Sequence, residues 1–233
     1  MKNYLKECLL KMNIEITEER LAKFIKYSEL LLDWNTKINL TAITEPHEIV
    51  KKHFCDSLSS LPLIKQNANV ADIGTGAGFP GIPLAIVRDD ITVLLVDSLN
   101  KRIRFLEEVI YELSLTNVKA VHLRAEEGAK GTIRDSFDVV TARAVAPLNV
   151  LCEYCLPYVK PGGLFLAYKG EKAKEELDAA QNAIEKLCAE AKDIFKCFIP
   201  DSSMSHNIIP VLKKCNTPKV YPRASAKISK SPL

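Results

Sequence analysis

Residues 70–81 read V-A-D-I-G-T-G-A-G-F-P-G. A short apolar run leads into a turn that holds four of the nine glycines of the chain. Glycine adopts positive φ without strain and lets a ligand approach the backbone closely. In doubly wound α/β folds, a strand, a glycine-rich turn and a helix follow one another in this order, and ligands bind at the carboxyl ends of the strands. The stretch therefore predicts an α/β fold with a ligand site at this turn.

The chain beyond the turn, from about residue 67 to residue 200, alternates short apolar runs with amphipathic stretches. Near-continuous apolar strands separated by helices predict a mostly parallel sheet that is covered on both faces. The P-G-G sequence at 161–163 predicts a tight turn before the fifth strand. Two further runs, I-I-P-V-L and K-V-Y, are predicted as strands after residue 201. The five main runs are N-V-A-D-I, T-V-L-L-V, V-K-A-V-H-L, F-D-V-V-T and L-F-L-A-Y.

The N-terminal part of the chain has a helical pattern. Thr17 followed by two acids predicts a helix N-terminus, and Pro46 suits the first turn of a second helix. We therefore divide the chain into an N-terminal helical extension (1–66), an α/β domain (67–213) packed closely against it, and a basic C-terminal tail (214–233).

Composition sets the class of protein. The 233 residues are 47% hydrophobic and 26% charged, as in ordinary soluble domains. Because no apolar run reaches the ~18 residues of a membrane span and the N-terminus lacks signal-peptide features, we expect a cytoplasmic protein. The seven cysteines are then reduced thiols. Cys152 and Cys155 form a C-x-x-C within an amphipathic segment, which favours a packing role over a metal site.

The charges are unevenly distributed although the net charge is only +3. The last 32 residues, from Ser202 on, contain no acid. Such a segment indicates a polyanionic partner, although a solvated tail explains it equally well. Its bases are Lys213, Lys214, Lys219, Arg223, Lys227 and Lys230.

The glycine pattern by itself is compatible with two cofactors. Gly76, Gly78 and Gly81 match the dinucleotide pattern G-x-G-x-x-G, which keeps an NAD-dependent oxidoreductase as an alternative. Asp72 and Gly74 extend it to D-x-G-x-G-x-G, the pattern of class I methyltransferases. An acid inside the strand favours S-adenosylmethionine, because dinucleotide folds usually have an apolar residue there. A non-enzymatic RNA-binding accessory protein is the third hypothesis.

Further candidates follow the later strands. Asp97, at the end of the second strand, suits ribose hydroxyls. Glu126, after the third strand, can accept a hydrogen bond from the adenine amino group beside the Ala125 backbone. Arg143 ends the fourth strand, which would place it beside the transferred methyl group.

Several stretches together resemble one family. D-I-G-T-G-A-G-F-P-G-I-P-L-A-I, D-S-L-N-K-R-I-R-F-L, R-A-E-E and F-D-V-V-T-A-R-A-V-A-P-L, with W-N-T-K-I-N-L-T-A-I, H-F-C-D-S-L and L-A-Y-K-G, are similar to the bacterial glucose-inhibited division protein B family. The resemblance implies a class I (Rossmann-like) methyltransferase fold and an enzyme that methylates guanine N7 of 16S ribosomal RNA with S-adenosylmethionine. It implies 16S rRNA or a precursor of the small subunit as partner; we expect no membrane and no metal, and a monomer.

The residue patterns and the resemblance together assign residues. Arg143 is the candidate catalytic residue, and transfer to N7 requires no general base. The predicted cofactor set is Asp72, Gly74, Gly76, Gly78, Phe79, Asp97, Ala125, Glu126 and Arg143. The predicted RNA-binding set is Asn39, His53, Asp56, Lys169, Arg223 and Lys230. Near the end the chain departs from the family, since Ala226 and Ile228 replace a glycine and a proline.

Overall fold

The computed structural model describes the whole chain, residues 1–233, and has one eight-stranded sheet. The strand order is β3-β2-β1-β4-β5-β8-β6, and β7 also pairs with β8. The strands are β1 (Asn69–Ile73), β2 (Thr92–Asp97), β3 (Val118–His122), β4 (Phe137–Arg143), β5 (Val159–Lys169), β6 (Ala189–Ala191), β7 (Phe195–Cys197) and β8 (His206–Lys213).

The first five strands are parallel, and β8 runs antiparallel to β5. Their carboxyl ends therefore meet at one edge, which we call the carboxyl edge. Because β1 lies between β2 and β4, the direction of winding reverses beside β1, and open α/β sheets bind ligands at such a switch point. The predicted doubly wound, mostly parallel sheet is confirmed.

Ten α-helices flank the sheet. A π-helical segment, Val50–Cys55, joins α3 to α4 in one continuous helical run. None of the helices has both the length and the apolar content required to cross a bilayer. The helices are α1 (Lys2–Lys11), α2 (Glu18–Asn35), α3 (Pro46–Ile49), α4 (Asp56–Leu58), α5 (Gly81–Val87), α6 (Asn100–Glu112), α7 (Ala125–Gly128), α8 (Leu148–Cys155), α9 (Ala173–Lys186) and α10 (Ser225–Lys230).

The N-terminal helices share a core with the first half of the sheet. Phe24 of α2 and Phe54 of the π-helical segment are fully buried in the same apolar cluster as Ile82 of α5 and Phe105 of α6. Helix α2 begins where the sequence predicts, since the Thr17 hydroxyl accepts the Arg20 N–H at 3.3 Å. Burial on this scale fixes the extension against this face of the sheet.

The opposite face of the sheet is covered by α8 and α9. Cys152 and Cys155 of α8 are fully buried in this second core, beside Ala180 of α9. Their thiols therefore pack as small apolar groups, which is the role that the sequence predicts for the C-x-x-C.

Two local predictions are wrong. The K-V-Y sequence, 219–221, forms a turn rather than a strand; the Arg134 guanidinium fixes this path by donating to the Thr217 and Tyr221 carbonyls at 2.7 and 2.9 Å. The P-G-G sequence lies inside β5, and the pairing of β4 with β5 shifts register between Phe137 and Val139. The strand absorbs the irregularity as a bulge.

The last segment of the chain folds back onto α8. The Arg223 guanidinium donates to both oxygens of Glu153, at 2.8 and 2.6 Å, and its backbone N–H donates to the same carboxylate at 2.8 Å. The Tyr154 hydroxyl bonds to Ser225 at 2.9 Å, and Ile228 of α10 is fully buried. Residues 214–233 therefore form a docked segment rather than a solvated tail.

Three of the six bases in this region are buried or paired in the folded protein and are not available to a polyanion. Lys213 is 1% exposed and donates to the Leu156 carbonyl at 2.7 Å, and Lys214 pairs with Glu190. With Arg223 held by Glu153, the bases of this region that remain without an ionic partner are Lys219, Lys227 and Lys230.

We predict that Arg223→Ala destabilises the protein by about 3–5 kcal/mol, because it leaves the fully buried Glu153 carboxylate without a countercharge. Denaturant unfolding followed by circular dichroism measures the change. Lys227→Ala, an exposed base on the adjacent helix, is the control and should stay within about 0.5 kcal/mol of wild type. An equally small effect of Arg223→Ala would contradict the structural role.

Candidate active site

The glycine turn forms one wall of a cleft at the carboxyl edge. This cleft, the glycine cleft, has a volume of about 420 Å³, which lies within the range of small-molecule sites. It collects residues from the ends of β1, β2 and β3 and one residue of the docked C-terminal segment. Among the residues that line it are Gly74, Asp97, Arg102, Ala125, Glu126 and Ser225.

Two glycines begin the turn, of which Gly74 lines the cleft and Gly76 does not. Gly74 and Gly76 have φ values of +69° and +62°. A Cβ on Gly74 would lie 2.8 Å from the Val145 side chain, whereas around Gly76 nothing but the Gly74 carbonyl lies within 4 Å. A side chain at Gly74 is disfavoured by the positive φ and would displace Val145, and the contact of Gly76 with the cofactor stays a prediction.

Asp97 is held rigidly beside the turn. One carboxylate oxygen accepts the Leu99 N–H at 2.9 Å, and the other accepts the Gly76 N–H at 3.0 Å and an Arg102 N–H at 3.2 Å. Its charge is therefore balanced by Arg102 inside the cleft. An oriented carboxylate with further lone pairs can accept hydrogen bonds from a pair of ligand hydroxyls.

The far side of the cleft is the start of α7. The Ala125 carbonyl accepts the Tyr158 hydroxyl at 2.7 Å, which fixes this backbone. Glu126 is half-buried and accepts no hydrogen bond within the protein. Its carboxylate is thus available to a ligand donor.

Asp72 is not among the residues that line this cleft, and its contact with the cofactor stays a prediction. It is fully buried, and its oxygens accept the Thr75 hydroxyl at 2.7 Å, the Gly81 N–H at 3.0 Å and the Thr141 hydroxyl at 3.0 Å. Burial raises the pKa of Asp72, while these hydrogen bonds oppose the rise. The carboxylate organises the turn from behind, because internal donors occupy it.

Gly78 and Phe79 also lie outside the cleft. A Cβ on Gly78 would meet Ile82 at 2.6 Å and the Tyr27 hydroxyl at 2.9 Å, so this glycine faces the helical extension. Phe79 is 4% exposed and stacks on the His53 ring with centroids 4.4 Å apart. Both residues contribute to contacts between the turn and the extension, and their contact with the cofactor stays a prediction.

A second cavity adjoins the first. This cavity, the arginine cavity, has a volume of about 750 Å³ and lies between the end of β4 and the helical extension. Ala144 and Val145, which follow β4, line both cavities. Polar residues dominate its wall, among them Lys52, His53, Asp56, Arg143, Lys169, Glu176 and His206.

Arg143 belongs to this second cavity and not to the glycine cleft. One terminal nitrogen donates to Asp56 at 2.7 Å and to the Lys52 carbonyl at 3.0 Å, and the other faces His53 Nδ1 at 3.3 Å. The guanidinium lies over the Phe79 ring, 4.9 Å from its centroid. These contacts fix the Arg143 side chain beside the junction of the two cavities, and its contact with the cofactor stays a prediction.

His53 is a neutral partner of Arg143. The ring is 8% exposed, and burial together with the neighbouring guanidinium lowers its pKa to about 3. Because Nδ1 faces an Arg143 donor, the proton lies on Nε2, which donates to the Thr41 hydroxyl at 2.8 Å. His53 therefore positions other groups and has no proton-transfer role at neutral pH.

Asp56 bridges Arg143 to a residue that the sequence did not reveal. Its second oxygen accepts a hydrogen bond from His206 Nδ1 at 2.9 Å. Burial alone would raise the pKa of Asp56, but the His206 hydrogen bond and the Arg143 charge outweigh it and lower the pKa. His206 begins β8, 150 residues after Asp56, and no local pattern marks it.

The remaining predicted RNA-binding residues are dispersed. Lys169 is in the arginine cavity, but its ammonium donates to the Ala146 carbonyl at 2.9 Å and pairs with Glu176 at 2.6 Å. Asn39 is exposed and lines neither cavity, and Arg223 is occupied by Glu153. Lys230 is exposed on α10 without an ionic partner.

The two cavities differ in what they can hold. The glycine cleft offers open backbone, an oriented Asp97 and a free Glu126, which fits a ligand with hydroxyl and amino donors such as the adenosine part of S-adenosylmethionine. The arginine cavity offers paired charges, among them Arg143 with Asp56 and Lys169 with Glu176. No group of three His, Cys, Asp or Glu side chains is placed to hold a metal ion.

Known proteins resemble this chain along most of its length. The family model for GidB, described as rRNA small subunit methyltransferase G, matches residues 20–204. The ribosomal RNA small subunit methyltransferase G of Clostridium perfringens (strain 13 / Type A) is 49% identical over 225 residues, covering 95% of this chain and 94% of that protein. The protein of the same name from Desulfitobacterium hafniense (strain Y51) is 51% identical, covering 96% and 93%.

A solved structure shares the fold. TYW2 of M. jannaschii in complex with AdoMet superimposes with a TM-score of 0.56 at 18% identity, covering 73% of this chain and 77% of that one. At this identity the likeness concerns the fold alone, and it confirms the predicted class I methyltransferase fold. Since the family model spans most of the chain and two full-length relatives are about half identical to it, the chain belongs to the rRNA small subunit methyltransferase G family.

Proposed function

We propose that this enzyme transfers a methyl group from S-adenosylmethionine to N7 of a guanine in 16S ribosomal RNA, with the cofactor in the glycine cleft and the guanine in the arginine cavity. The observation that carries the proposal is the shared wall of the two cavities. Ala144 and Val145 line both, so ligands in the two spaces meet at the end of β4. A methyl donor and an acceptor base require this adjacency.

The cofactor supplies, when bound, a methyl group attached to a positively charged sulfur. The chain orients it through three features of the cleft. Asp97 is fixed by Gly76 and Arg102 and accepts the ribose hydroxyls. Glu126, which has no internal partner, accepts the adenine amino group, and the Gly74 backbone, which lines the cleft, borders the rest of the ligand.

The residues around the guanine have little chemistry to perform. Guanine N7 carries a free lone pair at neutral pH, so no residue has to remove a proton. Holding two reactants in line contributes roughly 7–11 kcal/mol, and this is the task of the arginine cavity. Arg143 is suited to it because Asp56, the Lys52 carbonyl and Phe79 restrain its guanidinium.

The RNA has to present an accessible guanine. In an A-form duplex N7 lies in a deep, narrow groove that protein side chains do not reach, so the target guanine is unpaired or turned out. Lys219, Lys227 and Lys230 are exposed on the docked C-terminal segment, whose Ser225 lines the glycine cleft. We assign them to phosphate contacts, which weaken as salt rises.

The proposed reaction is tested in cells that lack the protein. We expect one N7-methylguanine of 16S rRNA to disappear, as mapped by cleavage at methylated guanines, and to return when the wild-type chain is supplied. The purified protein should bind S-adenosylmethionine saturably and NAD not at all. An unchanged methylation pattern in the deleted strain would refute the RNA assignment, and binding of NAD alone would favour the oxidoreductase.

We predict that Arg143→Lys lowers kcat for methyl transfer by about 100-fold, because one misplaced positioning group costs about that factor. The Kd for S-adenosylmethionine should change less than threefold, since Arg143 does not line the glycine cleft. Arg88→Lys is the matched control, because Arg88 also bonds to an aspartate and to backbone carbonyls but lies after α5, at the other edge of the sheet. If Arg143→Lys instead loses much of its affinity for S-adenosylmethionine and keeps its kcat, the result would support a cofactor-binding role for Arg143.

The neutral state of His53 predicts a pH dependence of stability. Its pKa is about 3 in the folded protein and about 6.5 in the unfolded chain, so the unfolded state binds more protons between these values. Stability therefore falls as pH decreases from 6.5 towards 3. At pH 5 the contribution of His53 to the free energy of unfolding is about 2 kcal/mol lower than at pH 7. Urea unfolding at the two pH values measures this difference, and the His53 contribution should be absent from it in the His53→Gln variant. The exposed His47→Gln variant should follow the wild-type profile, and an unaltered slope in His53→Gln would contradict the assignment.

A further inference from the structure

A carboxylate and an ammonium lie side by side in the arginine cavity. Lys169 ends β5, and Glu176 lies in the first turn of α9. They form an ion pair of 2.6 Å, in which the Lys169 side chain is 8% exposed and the Glu176 side chain 30%. Both residues line the same cavity as Arg143.

The hydrogen bonds of this pair are unevenly distributed. Glu176 Oε2 receives both Lys169 Nζ and the Leu148 N–H, the latter at 2.9 Å, whereas Oε1 accepts no hydrogen bond from the protein. Lys169 uses one further proton for the Ala146 carbonyl at 2.9 Å. Since an ammonium has three protons, one remains. The cavity wall thus presents a free acceptor next to a free donor.

We propose that Glu176 and Lys169 read the Watson–Crick edge of the target guanine. Glu176 Oε1 accepts hydrogen bonds from guanine N1–H and the N2 amino group, and Lys169 donates to O6. This inference rests on the proposed function and adds the residues that select the base. Guanine is the base whose adjacent acceptor and donors match this wall.

The enzyme has to distinguish guanine from adenine, because adenine also carries an N7 acceptor. Adenine has an amino group at the position of O6 and an unprotonated N1. It would place its amino group against the Lys169 ammonium and its N1 lone pair against the Glu176 carboxylate. A site with these two charges therefore rejects adenine by repulsion as well as by lost hydrogen bonds.

The contacts of Glu176 Oε2 also fit a purely structural role, in which the pair holds the segment after β4 in place. The Glu176→Gln variant distinguishes this role from base selection. The glutamine oxygen can still accept the Leu148 N–H, but its second terminal atom becomes an amino group. The substitution therefore preserves the shape of the residue and replaces the free acceptor with a donor.

The experiment uses RNA in which the target guanine, once mapped as described above, is replaced by inosine through splinted ligation. Inosine keeps N7, O6 and N1–H and lacks the N2 amino group. For the wild-type enzyme we expect kcat/KM to be at least about 10-fold lower on the inosine RNA. For Glu176→Gln we expect a much lower rate on guanine and a guanine-to-inosine ratio near one. Glu175→Gln, on the exposed side of the same helical turn, should retain the wild-type rate and ratio.

Two results overturn the inference while leaving the proposed function intact. One is a wild-type enzyme that methylates guanine and inosine RNA equally well. The other is a Glu176→Gln variant that is slower on both by the same factor, because that is the signature of a structural role. Failure of the wild-type enzyme to methylate the guanine RNA at all would instead overturn the proposed function itself.

Discussion

The buried carboxylate of Asp72 is the constraint on which the geometry of the carboxyl edge depends. It is the penultimate residue of β1 and accepts hydrogen bonds from the glycine turn, from the first residue of α5 and from β4. A buried charge is stable only when its hydrogen-bonding capacity is satisfied, so these three elements are fixed relative to one another. Because β1 leads into Gly74 and β4 ends in Arg143, the same group determines where the two cavities meet.

The second constraint is the contact between the sheet and the helical extension. Arg143 reaches from β4 to Asp56 and to the Lys52 carbonyl, and Phe79 packs between the glycine turn and His53. The glycine cleft is built mostly from the ends of the strands, but the arginine cavity needs a wall from outside the sheet. The helical extension provides that wall through Lys52, His53 and Asp56.

Local sequence patterns predicted what depends on neighbouring residues. The apolar runs predicted the parallel strands, and the glycine-rich stretch predicted the turn that borders the cleft through Gly74. Prediction failed where a partner is distant in sequence: Glu153 lies 70 residues before Arg223, and Asp56 lies 150 residues before His206. Charged residues such as Asp72 and Arg223 were assigned to ligands because their internal partners cannot be seen in the sequence. The same reason explains why Glu176 was missed, since only its contact with Lys169 draws attention to it.

The balance of charges at the site follows from the chemistry it serves. Transfer to a ring nitrogen with a free lone pair creates no need for a base, and a mobile proton would be of no use. Accordingly Arg143 is paired with Asp56, Asp97 with Arg102, and Lys169 with Glu176, while His53 is neutral. Paired groups hold their positions better than free ones, and positioning is the contribution that such a reaction requires. The carboxylate oxygens left without a protein donor, those of Glu126 and Glu176 Oε1, are then the ones available to read the two ligands, one in each cavity.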